Sequence, residues 1–191
     1  MIEQAHGDAL HPPTATATFS DDELHRYELT RLVTPDDGAP ARLPGAFALF
    51  CGLNPSTANA FKLDPTCIRE TGFTRRWGFG EYRKVNAYGW RATLPADLWS
   101  AGRAGQDIVG NDNDEMVRRN LERLKRDGGV AIACWGTHAK THRVVRLVEL
   151  AEAAGVQWQC FGTNNDGSPK HPLYLPGSTQ PQPWIPPWRL P

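Results

Sequence analysis

Short apolar runs alternate with amphipathic stretches along this chain. Ala46 to Leu53 is a continuous apolar run, the pattern of a strand buried on both faces of a parallel sheet. Val130 to Trp135 repeats it, and Lys84 to Tyr88 and Val156 to Phe161 predict two further strands. Arg26 to Val33 alternates and predicts an edge strand. Met116, Val117, Leu121 and Leu124 recur at helical spacing, predicting a helix over 113–126 that Gly128-Gly129 ends. A second amphipathic helix is expected over 142–154, with Val144, Val145, Leu147, Val148 and Leu150 on its apolar side and Gly155 as its cap. Asn54 to Tyr82 is expected to hold a long loop and a helix. Residues 1–18 show no period and predict a mobile arm. The expected organisation is a flexible arm over 1–20 and a single domain over 21–191, with a Pro-rich tail packed through its tryptophans.

This alternation predicts an α/β fold, a three-layer α/β/α sandwich around a central, mostly parallel four-stranded sheet. In such sheets ligands bind beyond the carboxyl ends of the strands. Asn54, Asn86 and the Trp135-Gly136 turn each follow a predicted strand, so one rim is expected to carry all three.

Composition narrows the class. At 191 residues, 40% hydrophobic and 22% charged, the chain fits one globular domain. No apolar run is long enough for a membrane span, the start lacks a signal-peptide pattern, and the expected location is the cytoplasm. The four cysteines form no CxxC pair, and Cys51, Cys134 and Cys160 sit in apolar runs, where a reduced thiol packs as a small hydrophobe. That spacing disfavours zinc and iron–sulfur sites, so neither a metal nor a cofactor is expected. His138 and His142 are spaced i, i+4 without a third ligand, and surface helix positions are the plainer reading. Net charge is zero, which argues against a strongly basic nucleic-acid binder. The cations nonetheless cluster, at Arg69, Arg75, Arg76, Arg83, Lys84 and Arg91, and again at Arg118, Arg119, Arg123, Lys125 and Arg126. The first cluster suits a basic face; the second reads more simply as a solvated helix face.

Two short segments concentrate the chemistry: Gly52-Leu53-Asn54-Pro55-Ser56 after the first buried strand, and Lys170-His171-Pro172-Leu173-Tyr174-Leu175 near the C-terminus. With Val85-Asn86 and Ala133-Cys134-Trp135-Gly136 they form an ordered set that resembles the uracil-DNA glycosylase superfamily. In its mismatch-specific branch the first motif is Gly-x-Asn-Pro, matched by Gly52 to Pro55; the second-strand asparagine that reads the base is matched by Asn86; and the last His-Pro motif is matched by His171-Pro172, departing at Leu173. A closer resemblance is to a bacterial and phage family known as domain of unknown function 1643. It is carried by Arg26 to Arg31, Leu53 to Ala58, Asp64 to Thr66, Trp77 to Gly80, Val85-Asn86, Arg91 to Thr93, Asn113-Asp114 and His171 to Leu175.

The glycosylase resemblance implies hydrolysis of an N-glycosidic bond in a flipped-out nucleotide, through an oxocarbenium-like sugar and a departing base anion. Asn54 is suited to position water through its amide oxygen, with Asp64 as a carboxylate partner; the plainer role for Asp64 is a turn before Pro65. His171 is suited to donate a hydrogen bond to the base as charge develops, or else caps a turn. Leu53, Pro55, Ser56, Asn86, Phe73 and Trp77 are the candidate base contacts. Asn86 offers a donor and acceptors to a base edge, and an aromatic of the loop would stack on the base, though core packing is the commoner fate of such rings. Arg75, Arg76, Arg91 and Lys170 are candidate phosphate contacts, and Leu173 and Tyr174 a candidate wedge into the duplex. Small or polar residues at Ser56, Thr57, Ala58 and Asn59 suggest room for a C5 substituent.

The expected activity is therefore that of a monofunctional DNA glycosylase acting as a monomer on double-stranded DNA. Its base would be a modified pyrimidine, such as hydroxymethylated or glucosylated cytosine in phage DNA, removed in anti-phage defence. A uracil or mismatch repair glycosylase, a non-catalytic reader of modified bases, and a hydrolase or transferase of a small nucleotide stand as alternatives.

Overall fold

The computed structural model describes residues 2–4, 15–56 and 64–189. Among these, eight strands form one mixed sheet: β1 (Ile2–Gln4), β2 (Ala15–Phe19), β3 (Arg26–Leu32), β4 (Phe47–Gly52), β5 (Glu81–Asn86), β6 (Gly129–Ala133), β7 (Gln159–Cys160) and β8 (Gln182–Pro183). They lie in the order β1-β2-β3-β5-β4-β6-β7-β8. The four strands expected from apolar patterning are the parallel centre, β5-β4-β6-β7.

The expectation of four strands is corrected to eight. Antiparallel β1, β2 and β3 extend the sheet beyond β5, and β8 closes the other side against β7. Arg26–Leu32 is thus an interior strand rather than an edge. Ala15–Phe19, expected within the arm, is also a strand, and Ala15, Ala17 and Phe19 are buried on alternate positions. An Ala/Thr alternation carries too little apolar contrast to announce a strand from sequence. The rest of the arm, residues 5–14, lies outside the described residues.

β4 is central because every side chain in it is apolar or glycine, and all are buried. Its residues sort into two cores. Phe47, Leu49 and Cys51 face α2 (Pro95–Arg103), α3 (Asn113–Asp127) and α4 (Thr141–Ala153), while Ala48 and Phe50 face α1 (Pro65–Arg76). Helices therefore cover both faces of the sheet. The two helices expected from periodicity are α3 and α4, and Gly128 ends α3 with φ 87°, a left-handed value that glycine adopts without Cβ strain. In the tail, Trp184 is buried edge-on against Trp135, with ring centroids 5.2 Å apart, whereas Trp188 is partly exposed. No helix among the described residues is long and apolar enough to cross a membrane.

The first parallel strand, β4, lies between the second, β5, and the third, β6. The chain thus leaves β4 in opposite directions for its two parallel neighbours, the arrangement that opens a ligand crevice at the carboxyl ends of an α/β sheet. Gly52 pairs with Asn86 across β4 and β5, and the Cys134 N–H donates to the Cys51 carbonyl. Asn54, Asn86 and Trp135-Gly136 accordingly share the rim expected for them.

Candidate functional site

The site is built where β4 and β5 end beneath the N-terminus of α1. Phe50 pairs with Lys84, and Gly52 with Asn86, so these four side-chain positions face α1. Lys84 and Asn86 are the polar members, and both are buried. α1 answers Lys84 with Glu70, on the buried stripe of Cys67, Glu70, Phe73 and Thr74. Glu70 is fully buried, and the Lys84 ammonium donates to both its carboxylate oxygens, at 2.8 and 3.0 Å. Burial pushes the Glu70 carboxyl up and the ammonium pulls it back. Burial likewise opposes the charge on Lys84, but Glu70 outweighs it and Lys84 stays protonated.

Asp64 opens α1. Its Oδ1 accepts the Cys67 N–H at 2.7 Å, an N-cap bond, and Pro65 follows at the first helical position. The turn-forming role is real, but it uses only one oxygen; Oδ2 accepts the Ser56 hydroxyl at 3.1 Å. Burial alone would raise this carboxyl. The Lys84 ammonium, the Cys67 N–H and the Ser56 hydroxyl outweigh it and hold the carboxyl below its ordinary value. Arg26 of β3 is buried within electrostatic range of Asp64 and Glu70.

His171 approaches from the C-terminal segment, at the start of a single 3-10 turn, Pro172–Tyr174. Arg69 of α1 ties that turn down by donating to the Leu175 carbonyl. His171 is an exposed residue, but partial desolvation, and then the Lys84 ammonium, push its pKa down to about 4 against an opposing pull from Asp64. Nδ1 accepts the Leu173 N–H at 3.4 Å. The neutral ring therefore carries its proton on Nε2, which is left as a donor.

Asn86 is the least satisfied polar side chain of the cluster. It is 1% exposed, and its Oδ1 has no hydrogen-bond partner among the described residues. A Cβ at Gly52 would stand 2.8 Å from that oxygen, so glycine at 52 is what admits the amide. Asn54 is placed differently. Its Nδ2 donates to the carbonyls of Ala92 at 2.8 Å and Pro55 at 3.1 Å. Facing carbonyls fixes which end of the amide is nitrogen and leaves Oδ1 as an acceptor.

Other expected contacts are placed elsewhere. Phe73 and Trp77 are buried in the core between α1 and the sheet, stacked on each other and on Phe161, and the cavity that Trp77 borders is lined by Arg42, Phe79 and Gly129 and by no residue of this cluster. Aromatic rings at helical spacing fill the space between helix and sheet, and here that space is deep. Leu53 faces the opposite core, with α3 and α4, and Pro55 is buried. Ser56 is in the cluster through Asp64, while residues 57–59 lie outside the described residues.

The expected phosphate contacts are largely engaged. Arg75 pairs with Asp36 at 2.8 Å, Arg76 lies over the Phe73 ring, and Arg91 donates to the Glu23 carbonyl and lies over Phe19. Lys170 is exposed. The second basic group is a solvated helix face, Arg118, Arg119 and Arg123 pairing with Glu115, Glu122 and Asp127. Tyr174 projects from the His171 turn, 88% exposed, while Leu173 is half-buried. All four cysteines are buried and free; burial pushes the Cys51 thiol to about 12 and Cys67 to about 11, so they pack rather than react. His138 lies in a 3-10 turn that breaks before α4, so it does not share a helix with His142.

Lys84 and Glu70 are absent from the sequence-based site. Their signal was present: Lys84 shares a strand face with Asn86, and Glu70 sits three residues from both Cys67 and Phe73. A charge repeated on a buried period is a stronger pointer than a charge in a cluster. Among the described residues, no group of His, Cys, Asp and Glu is arranged to hold a metal ion.

A family model described as "Protein of unknown function (DUF1643)" matches residues 26–173, a span that includes every residue of the cluster. No curated protein and no solved structure matches the chain.

Proposed function

The chain belongs to the DUF1643 family, and we propose that it is a DNA glycosylase that receives a flipped-out pyrimidine at the carboxyl ends of β4 and β5 and hydrolyses its N-glycosidic bond. The observation that carries this reading is the Asn86 amide, buried with an unpaired oxygen beside a glycine. A buried acceptor with no internal partner costs about 1–3 kcal/mol. That cost is offset if the pairing group arrives with the substrate, and the N4 amino group of cytosine or the N3–H of uracil is such a donor.

The surrounding groups suit the remaining steps. His171, neutral with its proton on Nε2, donates to the base oxygen as negative charge develops there. Asp64, ionised, and Asn54 Oδ1 accept from the attacking water, and the carboxylate stabilises the cationic sugar. Lys84, locked to Glu70 as an ammonium, is a poor nucleophile, which favours simple hydrolysis over a Schiff-base lyase. Tyr174 is the better wedge of the expected pair. A glycosylase-like three-layer sandwich accommodates these roles. A modified cytosine, hydroxymethylated or glucosylated, remains the proposed base, with phage defence as its setting.

A second reading, a hydrolase of a small nucleotide, is favoured by the pairing of Arg75, Arg76 and Arg91 within the protein. The deciding experiment incubates the protein with plain DNA, uracil DNA and phage DNA bearing hydroxymethylated or glucosylated cytosine. Free base is measured by mass spectrometry and abasic sites by alkali cleavage. Release from modified DNA, lost in Asn86→Ala, is expected. Tight binding without release would make the protein a reader, and neither binding nor release, with hydrolysis of free nucleotides, would establish the second reading.

A further inference from the structure

The Lys84–Glu70 pair lies under the site without being part of any step proposed for it. Several ion pairs of this protein join exposed helix positions, as Arg118 does with Glu115. Lys84 and Glu70 instead meet inside the protein, 7% and 0% exposed. A hydrophobic pair of similar volume would fill the α1–β5 seam without the desolvation penalty of two buried charges. The pair is also placed where it reaches the reacting groups. Lys84 is two residues from Asn86 on one strand face, its Cε 3.6 Å from where a Cβ of Gly52 would be. Its ammonium has three N–H donors, and among the described residues Glu70 is the partner for both hydrogen bonds it makes.

We propose that Lys84, clamped by Glu70, is the positioning residue of this site: a fixed positive charge beneath it that sets which of His171 and Asp64 donates and which accepts. The inference rests on the glycosylase reading for its catalytic meaning, but its electrostatic content does not. Burial is the first influence on His171, followed by the charges within electrostatic range of it, Lys84 from β5 and Asp64 from the N-cap of α1. Those around Lys84 are Glu70, Cys67 and Asp64 from α1 and its cap and Cys134 after β6, with Arg26 of β3 behind Asp64. The positive charge of Lys84 disfavours a second one on His171 and favours a negative one on Asp64. Only the clamp makes this permanent, because an unpaired buried lysine would lose its proton instead.

Imidazole titration by NMR, with the His171 signal assigned from its absence in His171→Gln, tests the inference directly. In the intact protein the midpoint is expected near 4; an ordinary midpoint of 6.5 overturns the proposal without any variant. In Lys84→Met combined with Glu70→Leu, which removes both charges together, the His171 midpoint should rise by about one unit. The acid limb of base release should move up with it. Lys84→Arg, which keeps the charge, should leave the midpoint near 4 and preserve the acid limb. A folded double variant with an unmoved midpoint means that the pair only holds α1 to the sheet. Titration as expected in a protein that releases no base would keep the electrostatic assignment and overturn the glycosylase reading alone.

Discussion

Asn86 and Asp64 illustrate how one side chain can be judged by what each of its oxygens bonds. Asn86→Ala removes a buried acceptor that has no partner among the described residues, so urea denaturation should show stability unchanged or raised by up to about 1 kcal/mol. Base release should fall by about a hundredfold, the value of one lost contact to the reacting base. Gly52→Ala should cost function by the opposite route, since its methyl would crowd the Asn86 oxygen; about 1–3 kcal/mol of stability should go with it. For Asp64, two substitutions separate capping from charge. Asp64→Asn keeps an N-cap and should hold stability within about 0.5 kcal/mol while reducing base release; Asp64→Ala should lose about 1 kcal/mol as well. Equal activity in Asp64→Asn and the parent protein would leave Asp64 as a cap alone.

His171 sets a pH dependence whose sign follows from its lowered pKa. Between about 4 and 6.5 the unfolded chain binds a proton that the folded ring refuses, so the contribution of His171 is present above the upper value and is lost as pH falls through the lower. Asp64, also lowered, acts in the same direction at more acid pH. The urea midpoint of His171→Gln should therefore change less between pH 6.5 and 4 than that of the parent protein.

At the scale of elements, α1 is held to β5 by a charge pair rather than by shape alone. Lys84→Met by itself should destabilise the protein by about 3–5 kcal/mol, because Glu70 is left buried and uncompensated; thermal or urea unfolding measures it. Adding Glu70→Leu should recover most of the loss. On the opposite face, Arg143 donates to the Ala87 carbonyl and pairs with Asp114, while Asn113 donates to the Asn86 and Ala87 carbonyls. Two helices thus grip the peptide that carries Asn86. The central strands and α3 and α4 were legible because continuous apolar runs and a 3.6-residue period survive without knowledge of neighbours. β2 was not, since Ala and Thr alternate weakly. β8 has only two residues, one of them proline. α2 begins at Pro95 behind a Leu cap with no side-chain bond, and so offered little sequence signal. Asn54, Asp64, Asn86 and His171 were legible as residues that follow strands or open turns. Lys84 and Glu70 carried a signal in register and spacing that reading charge as a cluster passes over: it placed Lys84 on a basic face, whereas its strand register turns it inward.

For the whole molecule, zero net charge and the internal contacts of Arg75, Arg76 and Arg91 make electrostatics a weak contributor to any DNA complex. If the substrate is DNA, log K against log salt should have a slope of about −2 or shallower, measured by fluorescence anisotropy with a modified duplex. A steep slope would mean that the internal pairs of Arg75 and Arg91 break on binding. Strand order has a further consequence, for how the chain is made. β4, wholly apolar, emerges ahead of both its partners, and they are distant in sequence: Phe50 waits for Lys84 and then for Ile132. Contacts so far apart slow folding and keep a sticky strand uncovered meanwhile. His171 arrives only after both pairings can form. A growing chain therefore holds Asn54, Asp64 and Asn86 long before it holds His171, and on the proposed reading no base release is expected until the His171 turn has been made.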